Sequence, residues 1–159
     1  MKGNSKLIAT LNDLLSDELT AISQYMVHSE MCDSWGYEKL HKAIEKQAVD
    51  EMHHAEWLIQ RILFLEGTPV VSKLKAMKIG KDVEGMVAND GEAEMDAIRA
   101  YNKGIHLAHD VSDQATADLL TQILKMEEGH ADWADVQRSQ IDQMGLQNYL
   151  ANQAGAGAA

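Results

Sequence analysis

Six side chains, four glutamates and two histidines, fall on positions that the surrounding pattern reserves for hydrocarbon. In DEMHHAEWLIQRIL (residues 50–63) they are Glu51 and His54, and in MEEGHADW they are Glu127 and His130. Glu18 lies between Leu11, Leu14 and Leu15 on one side and Ile22 and Tyr25 on the other, and Glu94 interrupts a third apolar stripe. In Glu-x-x-His on a helix the second residue is about 60° round and about 4.5 Å along the axis, so both side chains reach one centre. Like charges repel in a low-dielectric interior, and desolvating each ion costs several kcal/mol. Something positive must sit among them. Four carboxylates and two imidazoles suit two metal ions with bridging carboxylates, and the mixed oxygen and nitrogen donors suit iron or manganese.

Four long helices are expected to carry these residues. The first opens after Asn4 or Ser5 and runs to about Asp33, with the stripe Leu7, Leu11, Leu14, Leu15, Ile22, Tyr25. The second runs from Glu38 to Gly67, with Pro69 beyond it as a stop, and shows Leu40, Ile44, Ala48, Ala55, Leu58, Ile62 and Leu65. The third runs from Asp82 to about Val111, with Val83, Val87, Ala97, Ile98, Tyr101 and Ile105. The fourth runs from Asp113 to Gly145, with Leu120, Ile123, Leu124, Ala134 and Ile141. LQNYLANQ adds a short fifth helix, and the chain after residue 152 is expected to be a mobile tail. Each helix has its defect about 12 or 13 residues from its start, so all meet at one level whichever way each helix runs. Short links make helices one and two antiparallel neighbours, and likewise three and four. The link from Gly67 to Lys81 spans roughly 50 Å when extended, against roughly 43 Å for a helix of this length. It is therefore able to cross the whole bundle and leave helices two and three parallel. The expectation is an all-α, single-domain, four-helix bundle with one long crossover.

Composition narrows the rest. The 159 residues suffice for one domain with a real core. With 14 basic against 25 acidic residues the net charge is −11, which speaks against nucleic acid as a partner and suits attraction of metal cations. No apolar run is long enough to span a membrane, and MKGNSKLIATLND lacks the apolar core of a signal peptide. The single cysteine, Cys32, has no internal partner, so a cytoplasmic protein is expected.

One Glu from each of two helices, with Glu-x-x-His from each of the other two, is the known pattern of ferritin-like di-metal carboxylate proteins, and the set here matches that pattern. Beyond the ligand set, the opening MKG, LNDLLSDELTAISQY, DEMHHAE, RILFLEG, MEEGHADW and MGLQNYL resemble bacterioferritins over essentially the whole chain. The resemblance implies that Glu18, Glu51, His54, Glu94, Glu127 and His130 are di-iron ligands, with Glu51 and Glu127 as the bridges. It implies a ferroxidase that oxidises Fe(II) with O2 or H2O2 and stores ferric mineral inside a shell of twenty-four subunits built from two-fold dimers. It implies haem b shared between two subunits through Met52, with a ferredoxin as the possible electron donor for iron release. The residues alone say less of Met52: with nine methionines in the chain, packing is the ordinary role. Val49, Met52, Ile59 and Leu63 do form a stripe displaced from the core face, as expected of a helix that also faces a partner subunit.

Tyr25, seven residues after Glu18, is placed to bond a ligand carboxylate, to donate an electron or simply to fill the core. Trp133, three after His130, is an electron relay or a packed indole. Asp50 suggests an inner-surface iron position, but the residue four before it is Lys46, where some relatives have histidine, and this speaks against that position. His28, His41, His53, His106 and His109 read as solvated helix histidines. A different function on the same bundle is a non-storage di-iron or di-manganese peroxidase of the rubrerythrin or manganese-catalase kind; the lone Cys32 leaves no CxxC pairs for a rubredoxin module. A third reading is a haem-bridged dimer with a vestigial metal site, which the intact six-ligand set disfavours.

Overall fold

Side-chain acceptors start three of the four long helices. In the computed structural model, which describes residues 1–155, Asn4 accepts from the Lys6 and Leu7 amides and opens α1 (Ser5–Ser34). Asp82 accepts from Gly85 N and opens α3 (Val83–Asp110), and Asp113 accepts from Thr116 N and opens α4 (Gln114–Met144). Each acceptor satisfies an amide that has no partner inside its own helix. α2 (Glu38–Phe64) starts without such a cap, and α5 (Leu146–Gln153) is the short last helix. There is no β-strand among the described residues.

α2 ends three residues before Gly67, where the glycine is expected to stop it. The left-handed residue is Glu66, at φ 58°, and Gly67 N reaches back to Ile62 O at 2.9 Å. This is the two-bond helix ending in which glycine stands one place further on. Gly67 is needed there for another reason: a Cβ would lie 2.7 Å from Ile8 Cγ2 of α1. α5 ends at Gln153, the last residue of LQNYLANQ, and the tail residues 156–159 lie outside the described residues.

The expected topology is present. α1 is antiparallel to α2 and α3, α4 is antiparallel to both as well, and α2 and α3 run the same way. The crossover, residues 65–82, carries no helix and runs beside α1 in the same direction. A polar row on α1 at every fourth residue holds it. Asn12 accepts from Val70 N, Ser16 donates to Lys73 O, Thr20 accepts from Lys75 N, Gln24 accepts from Lys78 N, and His28 accepts from Gly80 N. A segment without its own ladder thus finds backbone partners on a helix. His28 is therefore not solvated: it is fully buried, with Nε2 accepting from Gly80 N and Nδ1 donating to Asp90 at 2.9 Å. Surface composition gives no hint of this, because the partner backbone lies some 52 residues away. His53, His106 and His109 are exposed as expected, and His41 is half-buried.

The interior has two apolar clusters. One gathers Leu7, Leu11, Leu14, Leu58, Ile62 and Leu120; the other gathers Cys32, Leu40, Ile44, Met86, Val87 and Tyr149. Ile22, Ala97, Ile98, Ile105 and Leu124, expected in the stripes, are only half-buried and line the seams. Between the clusters lies a polar layer.

Candidate metal centre

Glu18, Glu51, His54, Glu94, Glu127 and His130 all point into that layer, and none is more than 8 % exposed. They form two overlapping groups. Glu18, Glu51, His54 and Glu127 bring one donor atom each within 4.8 Å of one another, and Glu51, Glu94, Glu127 and His130 do the same. Glu51 and Glu127 belong to both. His54 Nδ1 lies 2.8 Å from Glu51, 3.1 Å from Glu127 and 3.6 Å from Glu18. His130 Nδ1 lies 2.9 Å from Glu51, 3.3 Å from Glu127 and 3.7 Å from Glu94.

The distances are short, but of these contacts only His54 Nδ1 to Glu51 Oε2 is aligned as a hydrogen bond. Glu51 Oε1, both oxygens of Glu127 and His130 Nδ1 are buried without a hydrogen-bond partner. Orphaned polar atoms are costly, and this many in one place fit a cation held among them. All the donors are hard oxygen or imidazole nitrogen, which fits iron or manganese. The residues present therefore fit a pair of such ions.

The buried carboxylates and imidazoles also set one another's proton affinity. Burial works against charge on His54, but the carboxylates of Glu127, Glu18 and Glu51 overcome it and push its pKa up to about 12. Burial likewise opposes charge on His130, and Glu127 and Glu51 raise it to about 11. Glu127 would be raised by burial, yet the His130 and His54 imidazoles close beside it hold it down at about 2. Glu18 and Glu94, at the flanks, are driven well above the usual carboxylate range by burial and by repulsion from Glu51 and Glu127.

The supporting residues come in matched pairs. Tyr101 Oη donates to Glu18 Oε1, and Tyr25 Oη donates to Glu94 Oε1. Tyr25 thus bonds a carboxylate, on α3 rather than on its own helix. Tyr101 was legible only as core, because its partner is 83 residues away. The Nε2 atoms of the imidazoles face outward, that of His130 to Asp50 at 3.2 Å and that of His54 to the Met126 thioether at 3.4 Å. A signal for these pairs was present: DEMHHAEW (50–57) and MEEGHADW (126–133) align without a gap, placing Asp50 opposite Met126 and Trp57 opposite Trp133. Trp133 is half-buried and lines a cavity with Lys46, Asp50 and His130. Lys46 holds Asp50 in an ion pair at 2.8 Å.

Met52 stands apart. It is 42 % exposed on the outer face of α2, beside Val49 and Met26, on a cavity of about 270 Å³.

Residues 8–144 match the ferritin-like domain. The chain is 43% identical over 159 residues to a bacterial ferritin of Paramagnetospirillum magnetotacticum, covering 98% of this chain and 96% of that one. It belongs to the bacterioferritin family. A bacterial ferritin of Synechocystis is 41% identical over 96% of this chain and 99% of its own, and a bacterioferritin of Rhodobacter capsulatus is 38% identical over 94% and 92%. Iron storage is the function of this family, and the buried Glu/His layer is the part of the chain with the donor set for iron. No helix among the described residues is long and apolar enough to cross a membrane.

Proposed function

We propose that this chain is a ferroxidase that takes up Fe(II) in pairs, oxidises it and stores the product as ferric mineral inside a shell of its own copies. One observation carries the reading: two four-residue groups share both Glu51 and Glu127, whose free oxygens face one chamber. Glu18 and His54 would complete one metal position, Glu94 and His130 the other, and Glu51 and Glu127 would serve both. Tyr101 and Tyr25 each bond one oxygen of a flanking glutamate and so orient it. A cavity of about 210 Å³ lined by Asp17, Lys75 and Ala97 opens onto Glu18, Glu51, Glu94 and Glu127 and offers Fe(II) a route inward. Paired Fe(II) supplies two electrons to O2 or H2O2, and hard carboxylate donors favour the ferric product. Glu18→Ala and Glu127→Ala should each abolish fast single-turnover Fe(II) oxidation while leaving the bundle folded. Unchanged initial rates in both variants, with either oxidant, reject the reading.

Assembly and haem extend the proposal. A shell of twenty-four subunits has a mass of roughly 420 kDa, twenty-four times 17.6 kDa, which gel filtration separates at once from a small peroxidase. The exposed thioether of Met52, set among Met26, Val49 and Ile22, is a soft, neutral donor, so Met52 of two paired subunits would hold one haem b. Bound there, haem supplies a path for electrons from a reductant such as a ferredoxin to the stored iron. Met52→Leu keeps volume and apolar character, so it should assemble and oxidise Fe(II) normally but lose haem and reductive iron release. Stoichiometric haem with an unaltered spectrum in that variant would leave Met52 as packing only.

A further inference from the structure

The two metal positions mirror one another in their flanking glutamate, in the tyrosine that orients it and in the imidazole, and they differ in what each imidazole leans on. His130 Nε2 faces Asp50, a carboxylate that Lys46 keeps paired at 2.8 Å. His54 Nε2 faces the sulfur of Met126. A ligating imidazole gives one nitrogen to the metal and its other N–H to an acceptor, and a carboxylate there makes the ligating nitrogen a better donor. A thioether is a weak acceptor and carries no charge. Resting on the two-metal reading above, we infer that Met126 makes the His54 position the weaker of the two, so that the centre fills in order, the His130 side first and the His54 side last.

The effect falls on donor strength rather than on placement. His54 is fully buried and its ring packs against Trp57, with centroids 5.7 Å apart, so packing alone keeps it in position. Loss of such an outer partner typically lowers metal affinity about 10–100-fold, and the two positions should differ by that factor. Since oxidation needs both ions, the His54 side then decides when a centre is complete, and it is the side that empties first.

Titration of metal-free protein with Co²⁺, followed by visible absorption, and with Zn²⁺, followed by calorimetry, tests this without any turnover. Wild type should bind two ions in two steps about 10–100-fold apart. Met126→Asp should tighten the second step until the two merge, and Met126→Asn, a neutral carbonyl acceptor, should move it part of the way and keeps the test alive if the charged variant does not fold. Asp50→Asn should merge the steps from the other direction by weakening the first. Two equal steps in wild type, or a second step unmoved in a folded Met126→Asp or Met126→Asn, overturn ordered filling and leave the two-metal centre standing. A stoichiometry below two in wild type overturns the two-metal reading itself.

Discussion

Toward the start of α1 the bundle interior is mostly hydrocarbon: Leu7, Leu11, Leu14, Leu58, Ile62 and Leu120 pack together, with Thr116 buried beside Arg61 and Asp113. Toward its end the same four helices bury His28, Asp90, Gln24, Ser29 and Gln137 among Tyr25, Met86 and Tyr149. The crossover is the reason for the difference. At the first end it lies on the outside and Asn12 meets it at the surface, but at the second it tucks under the bundle to start α3, and Gly80 is buried. A Cβ on Gly80 would lie 2.4 Å from Met86 N, so the backbone comes as close as a glycine allows. Its N–H must then be satisfied inside, and His28, itself held by Asp90, does so. Lys75 and Ala76 of the same crossover line the cavity above the glutamates. The polar end therefore fixes the segment that borders the route to the metal layer, while the apolar end supplies mainly burial.

Asp90→Ala should break this contrast with the largest effect. Asp90 accepts from His28 Nδ1 and from Gln24 Nε2 at 2.8 Å, and each buried donor left unpaired costs about 1–3 kcal/mol. Urea unfolding should show the sum, and hydrogen exchange should show the Lys78 and Gly80 amides losing protection. If those amides stay protected, the crossover is held by something other than this network. Leu58→Ala, at the apolar end, should cost about 2–5 kcal/mol through the cavity it leaves, yet keep the crossover amides as protected as in wild type.

The metal layer lies between the ends and draws on all four helices. Zn²⁺ should stabilise the fold by about 2.7 kcal/mol for each position it fills at about a hundred times that position's dissociation constant, and exchange should slow at both ends alike. Glu51→Gln should lose most of that gain, since Glu51 serves both positions. A gain confined to one end would mean that only one position fills.

Sequence legibility followed the same division. Where a residue's role depends on its own helix, periodicity was enough: Glu18, Glu51, His54, Glu94, Glu127 and His130 each break an apolar stripe, and the structure gathers all six. The bundle and its crossover followed from helix lengths and link lengths. What escaped depends on contacts distant in sequence. Tyr101 looked like any core aromatic until Glu18 met it, and His28 looked solvated until Gly80 and Asp90 closed on it. The end of α2 escaped because Glu66, a residue with no special liking for positive φ, takes the turn that Gly67 seemed made for.

The smallest effect sharpens the comparison at the apolar end, where the charged contact sits on the rim rather than inside. Arg61 Nη2 donates to Asp113 Oδ1 at 2.7 Å, and Thr116 donates to Asp113 from both its hydroxyl and its amide, so one side chain caps α4 and ties it to α2. Burial raises the Asp113 pKa, but the Thr116 bonds and the Arg61 charge outweigh it, and the net shift is downward. A carboxyl lowered in the folded state adds stability that is complete above the unfolded pKa, near 3.9, and disappears as pH falls through the folded value. Asp113→Ala should therefore cost about 1 kcal/mol at pH 7, the usual worth of a helix cap, and the same at pH 5. Below about pH 4 the gap between wild type and variant should close, because wild type loses what the variant never had. Urea unfolding at these pH values reads it directly. A gap that persists unchanged at low pH would show that Asp113 acts through packing and not through its charge.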